Sequence, residues 1–181
     1  MKFATTIAAA ILAFTSSTVA APVSGPYITP ETISIHHGYN GQIEFNVRRG
    51  KIQRQQSGND DISTLMTFSF PQAADGKTCE FNFELNDGTF SVTPDVAQLD
   101  AFHSSQYATA SSPGWGPPSN YRDVQLGRLE VSKWGGLAQQ KWGSFSFPCP
   151  SGKKGFEVAP TGDAMTIEWD SPSDGPYIRY Y

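Results

Sequence analysis

After its first twenty residues the chain has no apolar run long enough to cross a membrane as a helix, which takes roughly 20 residues. Cysteine is almost absent, with only Cys79 and Cys149, and the histidines are His36, His37 and His103. No histidine sits at ligand spacing from either cysteine, and none has the spacing of a zinc-protease helix, so no metal and no cofactor is expected. The nucleophile elbow Gly-x-Ser-x-Gly is missing, and so is any Asn-x-Ser/Thr acceptor for N-glycosylation. Positive charge is scarce as well. Without Lys2, 12 Lys and Arg face 17 Asp and Glu, which argues against a nucleic-acid partner, since that needs a basic footprint.

The first twenty residues read as a secretory signal peptide. Lys2 supplies the charge, Phe3 to Phe14 the apolar run, and Thr18-Val19-Ala20 the small-residue cleavage site. The C-terminal Gly175 to Tyr181 lacks the hydrophobic tail of a lipid-anchor signal, so a secreted, extracellular chain without a membrane anchor is expected. Residues 21–30, with three prolines and a glycine, read as an extended lead-in, and 31–181 as one domain large enough for a real core. In a secreted chain, two cysteines most simply pair with each other. A Cys79–Cys149 bridge closes a loop of about 70 residues, worth roughly 4 kcal/mol by chain entropy.

What the chain has in abundance is alternation of period two. Ile43, Phe45 and Val47 alternate with Glu44, Asn46 and Arg48; Met66, Phe68 and Phe70 form the next inward set. Cys79, Phe81, Phe83 and Leu85 oppose Glu80, Asn82 and Glu84, and Asn86-Asp87-Gly88 signals a hairpin returning through Phe90 and Val92. Val124 and Leu126 share one parity while Leu129 and Val131 have the other, which predicts a bulge at Gly127-Arg128. Met165, Ile167 and Trp169 make the last inward set, with Trp142 and Trp169 expected in the core. Pro94 to Phe102 has room for one short helix, because Val96, Leu99 and Phe102 fall at helical spacing. Arg48, Arg49, Lys51 and Arg54 read as a solvated strand end. Two segments echo each other: Phe68-Ser-Phe-Pro71 with Gly76-Lys77, and Phe145-Ser-Phe-Pro148 with Gly152-Lys153, each read as a strand, a proline stop, a turn and a return strand. Gly25-Pro-Tyr-Ile28 is repeated as Gly175-Pro-Tyr-Ile178, a sign that both segments lie on sheet edges. The expected fold is all-β: a single-domain antiparallel sandwich or partly closed barrel, with at most one short helix and one disulfide.

The order Phe68-Ser-Phe-Pro71, Gly76-Lys-Thr-Cys79, Phe145-Ser-Phe-Pro-Cys-Pro-Ser-Gly152, Phe156-Glu-Val158, Gly162-Asp163, Ile167-Glu-Trp169 and Gly175-Pro-Tyr-Ile178 resembles the But-two C-terminal domain family. The resemblance covers Thr67 to Tyr181 and is most specific after Phe145. Members are mostly fungal secreted proteins that carry a "ubiquitin-binding" label, which a signal peptide leading away from the cytosol does not suit. It implies a secreted fungal β-domain with one disulfide, cell-wall-associated or facing a host, and it carries no catalytic signature.

No catalytic residue is assigned. Aromatic residues in or beside the long Ser/Gly/Pro-rich stretch His103–Asn120 and the next turn are the candidate ligand contacts: Tyr107, Trp115, Tyr121 and Trp134. Cell-wall polysaccharide or a host protein is the expected partner. Two other readings compete with a non-catalytic surface protein. One is an effector acting on a host partner. The other is a carbohydrate-active hydrolase with an acidic pair, which requires two or more of His36, His103, Glu130, Glu157 and Asp170 to converge in a pocket. Alternation places Glu130, Glu157, Glu168 and Asp170 on outward strand positions.

Overall fold

Rings and aliphatic side chains alternating with serine and acid cannot be buried on one stripe of a helix, but they fit one face of a strand. The computed structural model describes residues 25–57, 60–86, 89–116 and 121–181. The expected signal peptide and the Asp87-Gly88 turn lie outside these residues. The described strands are β1 (Tyr27–Ile28), β2 (Thr32–His37), β3 (Ile43–Val47), β4 (Arg49–Arg54), β5 (Ile62–Phe70), β6 (Thr78–Leu85), β7 (Ser91–Thr93) and β8 (Val96–Ser104). They continue as β9 (Arg122–Ser132), β10 (Gly136–Leu137), β11 (Gln139–Gly143), β12 (Ser146–Pro148), β13 (Gly152–Pro160), β14 (Met165–Asp170) and β15 (Gly175–Tyr180). The one helical element described is a single 3-10 turn at Gln72–Ala74.

The strands form two antiparallel sheets that do not close into a barrel, so the architecture is the sandwich. A five-stranded sheet runs β1-β15-β6-β10, with β12 also paired to β6. A ten-stranded sheet runs β11-β9-β8-β13-β5-β4-β14-β7, with β2 bridging β5 and β3. Between them lies one core, built from the inward sets Met66, Phe68 and Phe70, Phe81, Phe83 and Leu85, and Met165, Ile167 and Trp169. Trp169 stands where backbone comes closest. A Cβ on Gly50 would meet its ring at 2.1 Å, and one on Gly175, which also sits at φ 98°, would meet its Nε1 at 2.1 Å. Only glycine leaves room for the indole at these points.

The two echoing segments are not hairpins. β5 lies in the large sheet and β6 in the small one; β12 lies in the small sheet and β13 in the large one. Each Phe-Ser-Phe-Pro is therefore a corner at which the chain changes sheet, and the corners pair with each other: β13 with β5, β12 with β6. Proline ends the ladder in both, since it has no N–H to donate. The expected disulfide is present where the corners meet, with Cα atoms of Cys79 and Cys149 4.9 Å apart. The Cys149 N–H donates to the Lys77 carbonyl at 2.9 Å beside it.

Other expectations are corrected. Val96–Ser104 is a strand, not a helix. Running between β9 and β13, it has ladder partners on both sides, and Ala97, Leu99 and Ala101 are its inward set. The segment after Asn86 does not return beside β6: β7 pairs with β14, so that connection also crosses between sheets. Residues 27–28 of the lead-in form an edge strand on β15. Phe45 is exposed, because β3 pairs with β2 alone and Asn46, at φ 57°, breaks its alternation. Trp142 is half exposed on edge strand β11, its ring under the Arg128 guanidinium at 5.8 Å. The bulge expected at Gly127-Arg128 falls one residue earlier: Ala101 faces Gly127 while Phe102 faces Gln125, leaving Leu126 over.

Candidate functional site

On β13 the core takes Phe156 and Val158, so Glu157 points to the other face of the large sheet, opposite Leu65 of β5 and Phe102 of β8. That face is not solvent. The segment after β8 lies across it, burying Ala108 and Trp115 against Leu65, with Ile43 and Tyr121 at the margin. Gly155 permits the close approach, for a Cβ there would meet the Gln106 carbonyl at 2.0 Å. The Trp115 backbone N–H donates to the Gly41 carbonyl at 2.8 Å, and its ring lies 4.3 Å from that of Tyr121.

Glu157 does point outward from the core, as its alternation indicates, but the segment over it leaves it completely buried instead of solvated. Arg122 grips it with both ends of the guanidinium fork, Nε to Oε2 at 2.9 Å and a terminal nitrogen to Oε1 at 2.6 Å. Ser63 donates to Oε1 at 2.6 Å and the Trp115 indole N–H to Oε2 at 3.2 Å. His36 stands 3.8 Å from Oε1 and bonds Ser63 through Nδ1 at 3.0 Å. Burial alone pushes the carboxyl up. The Arg122 and His36 contacts, the Arg122 charge and the Ser63 bond overcome it and hold the pKa at about 2.

Two of the five groups named for a hydrolase, His36 and Glu157, thus come together; the other three do not join them. His103 packs edge-on against Phe156, 4.0 Å from Asp123; Glu130 binds Gln98 and Lys141; Asp170 pairs with Arg49. A serine nucleophile passes its proton to histidine. Here the ionised carboxylate can only accept, so Ser63 donates to Glu157 and its oxygen accepts from His36 Nδ1–H. The proton points away from the histidine that would have to take it. With two donors on each oxygen, the arrangement is suited to fastening Trp115 and its segment to the sheet.

The aromatic candidates are separated. Trp115 is buried, Tyr121 half-buried beside it, and Tyr107 is partly exposed on the same segment. Trp134 is 82% exposed at the far end of β9 from Tyr121, with Lys133 over its ring at 4.7 Å. Eleven residues of strand, at roughly 3.3 Å each, lie between those ends. Three of the four residues in the basic run are paired, Arg49 to Asp170 at 3.1 Å, Lys51 to Glu168 at 3.2 Å and Arg54 to Asp61.

A concave site lies elsewhere. Ile28 and Ile178 face the core, so Tyr27 and Tyr177 face out from the small sheet, their ring centroids 6.0 Å apart and their planes at 74°. With Thr29, Glu84, Asn86 and the turn 172–176 they line a cleft of about 460 Å³, inside the range of small-ligand sites, roughly 300–1,000 Å³. Asp174 is fixed there by the Asn86 backbone N–H and, at 3.5 Å, the Thr89 hydroxyl. The Tyr177 hydroxyl is shut off from solvent without a hydrogen bond of proper geometry. Burial first, then the nearby Glu84 carboxylate, raise its pKa. None of these residues was singled out from the sequence as a site. The signal that marks them is the repeated Gly-Pro-Tyr-Ile, which sets Tyr27 and Tyr177 side by side once β1 and β15 pair.

No protein-family model matches the chain, and no curated protein matches it.

Proposed function

We propose that this chain is a secreted, non-catalytic β-domain that works by surface contact with a cell-wall polysaccharide, with the Tyr27–Tyr177 cleft as its contact site. The observation that carries the reading is the cleft itself: two tyrosine rings standing out from ordered strands, with Glu84, Asn86 and Asp174 beside them. Tyrosine rings pack on the apolar faces of sugars, and carboxylate and amide groups take up the hydroxyls. The occupied state of Glu157 and the direction of the Ser63 proton support the non-catalytic part. The resemblance to the But-two C-terminal domain family, with its secreted fungal members, is part of the same proposal, as are secretion through the N-terminal segment and a wall-associated location.

Affinity electrophoresis through gels carrying soluble wall polysaccharides checks the reading. The wild-type chain is expected to be retarded in at least one of them, and Tyr27→Ala to migrate closer to its rate in an empty gel. Identical migration of wild type in every gel contradicts the proposal.

A further inference from the structure

Resting on the polysaccharide reading, we propose that the Tyr27–Tyr177 cleft selects a cationic sugar, the glucosamine unit of a partly deacetylated amino-sugar polymer. The cleft holds two carboxylates, Glu84 and Asp174, and none of the residues that line it is Lys, Arg or His. Asp174 is held in place by Asn86 and Thr89. Glu84 projects from β6 in a half-buried position, and among the described residues no lysine or arginine forms an ion pair with it. The nearest basic residue on β15, Arg179, stands opposite Glu80 of β6 in the ladder and does not line the cleft.

The rings point the same way. Two tyrosines with planes near perpendicular make two walls of a corner, and ring faces attract cations. An ammonium group placed there meets aromatic faces and Glu84 together, whereas a neutral sugar stacks but brings Glu84 no counter-charge. The volume favours a sugar ring over a bare alkylammonium head, which needs only a small part of about 460 Å³.

Isothermal titration of the full secreted chain with three soluble tetramers, at mildly acidic pH, tests this: tetraglucosamine, its fully N-acetylated counterpart, and tetralysine. Tetraglucosamine is expected to bind about tenfold more tightly than either of the others, the scale of one cation–aromatic contact with a carboxylate beside it. Added salt is expected to weaken it. Glu84→Gln and Tyr27→Ala should each reduce its affinity about tenfold by the same contacts while leaving the melting temperature within error of wild type. Equal affinity for the acetylated tetramer overturns the cationic selectivity and leaves the polysaccharide reading standing. Tetralysine binding as tightly as tetraglucosamine overturns the assignment to a sugar. Affinity that survives both substitutions removes the ligand from this cleft, and a chain that binds neither saccharide overturns the amino-sugar assignment, while the polysaccharide reading is decided by migration in the polysaccharide gels.

Discussion

Among the described residues four donors converge on the Glu157 carboxylate, two from Arg122, one from Ser63 and one from Trp115, and this sets what each residue is worth. Glu157→Gln leaves the guanidinium without its counter-charge, but the Arg122 side chain is 41% exposed and solvent takes up part of the loss, so a chemical denaturation curve should show roughly 1.5–3 kcal/mol. Trp115→Phe keeps most of the ring but removes the indole N–H, at a cost of about 1.5–3 kcal/mol for a bond to a charged group. Trp115→Ala empties the site and should cost about 3–5 kcal/mol. A Trp115→Ala protein as stable as wild type would show that the ring does not hold its segment to the sheet. The same carboxylate makes stability depend on acid. Its folded pKa, about 2, lies below the unfolded 4.5, so its contribution of about 3 kcal/mol is complete above pH 4.5 and is lost as pH falls through 2. Thermal melts across that window should show the decline in wild type and a flatter profile in Glu157→Gln.

At the scale of elements, the fold depends on two corners where the chain passes between sheets. Replacing Cys79 and Cys149 by serine removes the tie between them and should cost roughly 4 kcal/mol if the released loop acts mainly through chain entropy. Gly50→Ala tests the packing of β4 on β14. Its methyl would overlap the Trp169 ring, and overpacking of this kind costs about 1–3 kcal/mol, measured as a fall in the denaturation midpoint. The strands of the core were readable in advance because their rings recur at every second residue, as in Phe81, Phe83 and Leu85 or Met165, Ile167 and Trp169. β8 was not, because alanine at 97 and 101 carries little hydrophobic signal and left Val96, Leu99 and Phe102 to suggest a helix. The corners misled for another reason: proline and glycine mark where a strand stops, and local chemistry does not say which sheet receives the chain next. Glu157 was unreadable for the same cause. Alternation correctly turned it from the core, but the segment that covers it lies some 40 residues away in sequence.

Across the whole molecule, the two sheets differ in what covers their outer faces. The segment carrying Trp115 lies on the large sheet and buries its polar centre, while the small sheet keeps an open face with the Tyr27–Tyr177 cleft and the flanking acids Glu80 and Glu84. His36 and Glu157 are paired and buried on the first face, whereas on the second Glu84 and Asp174 stand beside the aromatic contact surface of the cleft. Binding without turnover is the function proposed for this chain, and one measurement puts both halves of it to the test. Purified chain is incubated with insoluble wall polysaccharides, and each suspension is spun to give protein in the pellet and soluble sugar in the supernatant. The account predicts chain in the pellet with at least one polysaccharide, and no sugar above the protein-free blank however long the incubation. Sugar released in proportion to protein and time, and abolished by a substitution at His36 or Glu157 that leaves the chain folded, would contradict it.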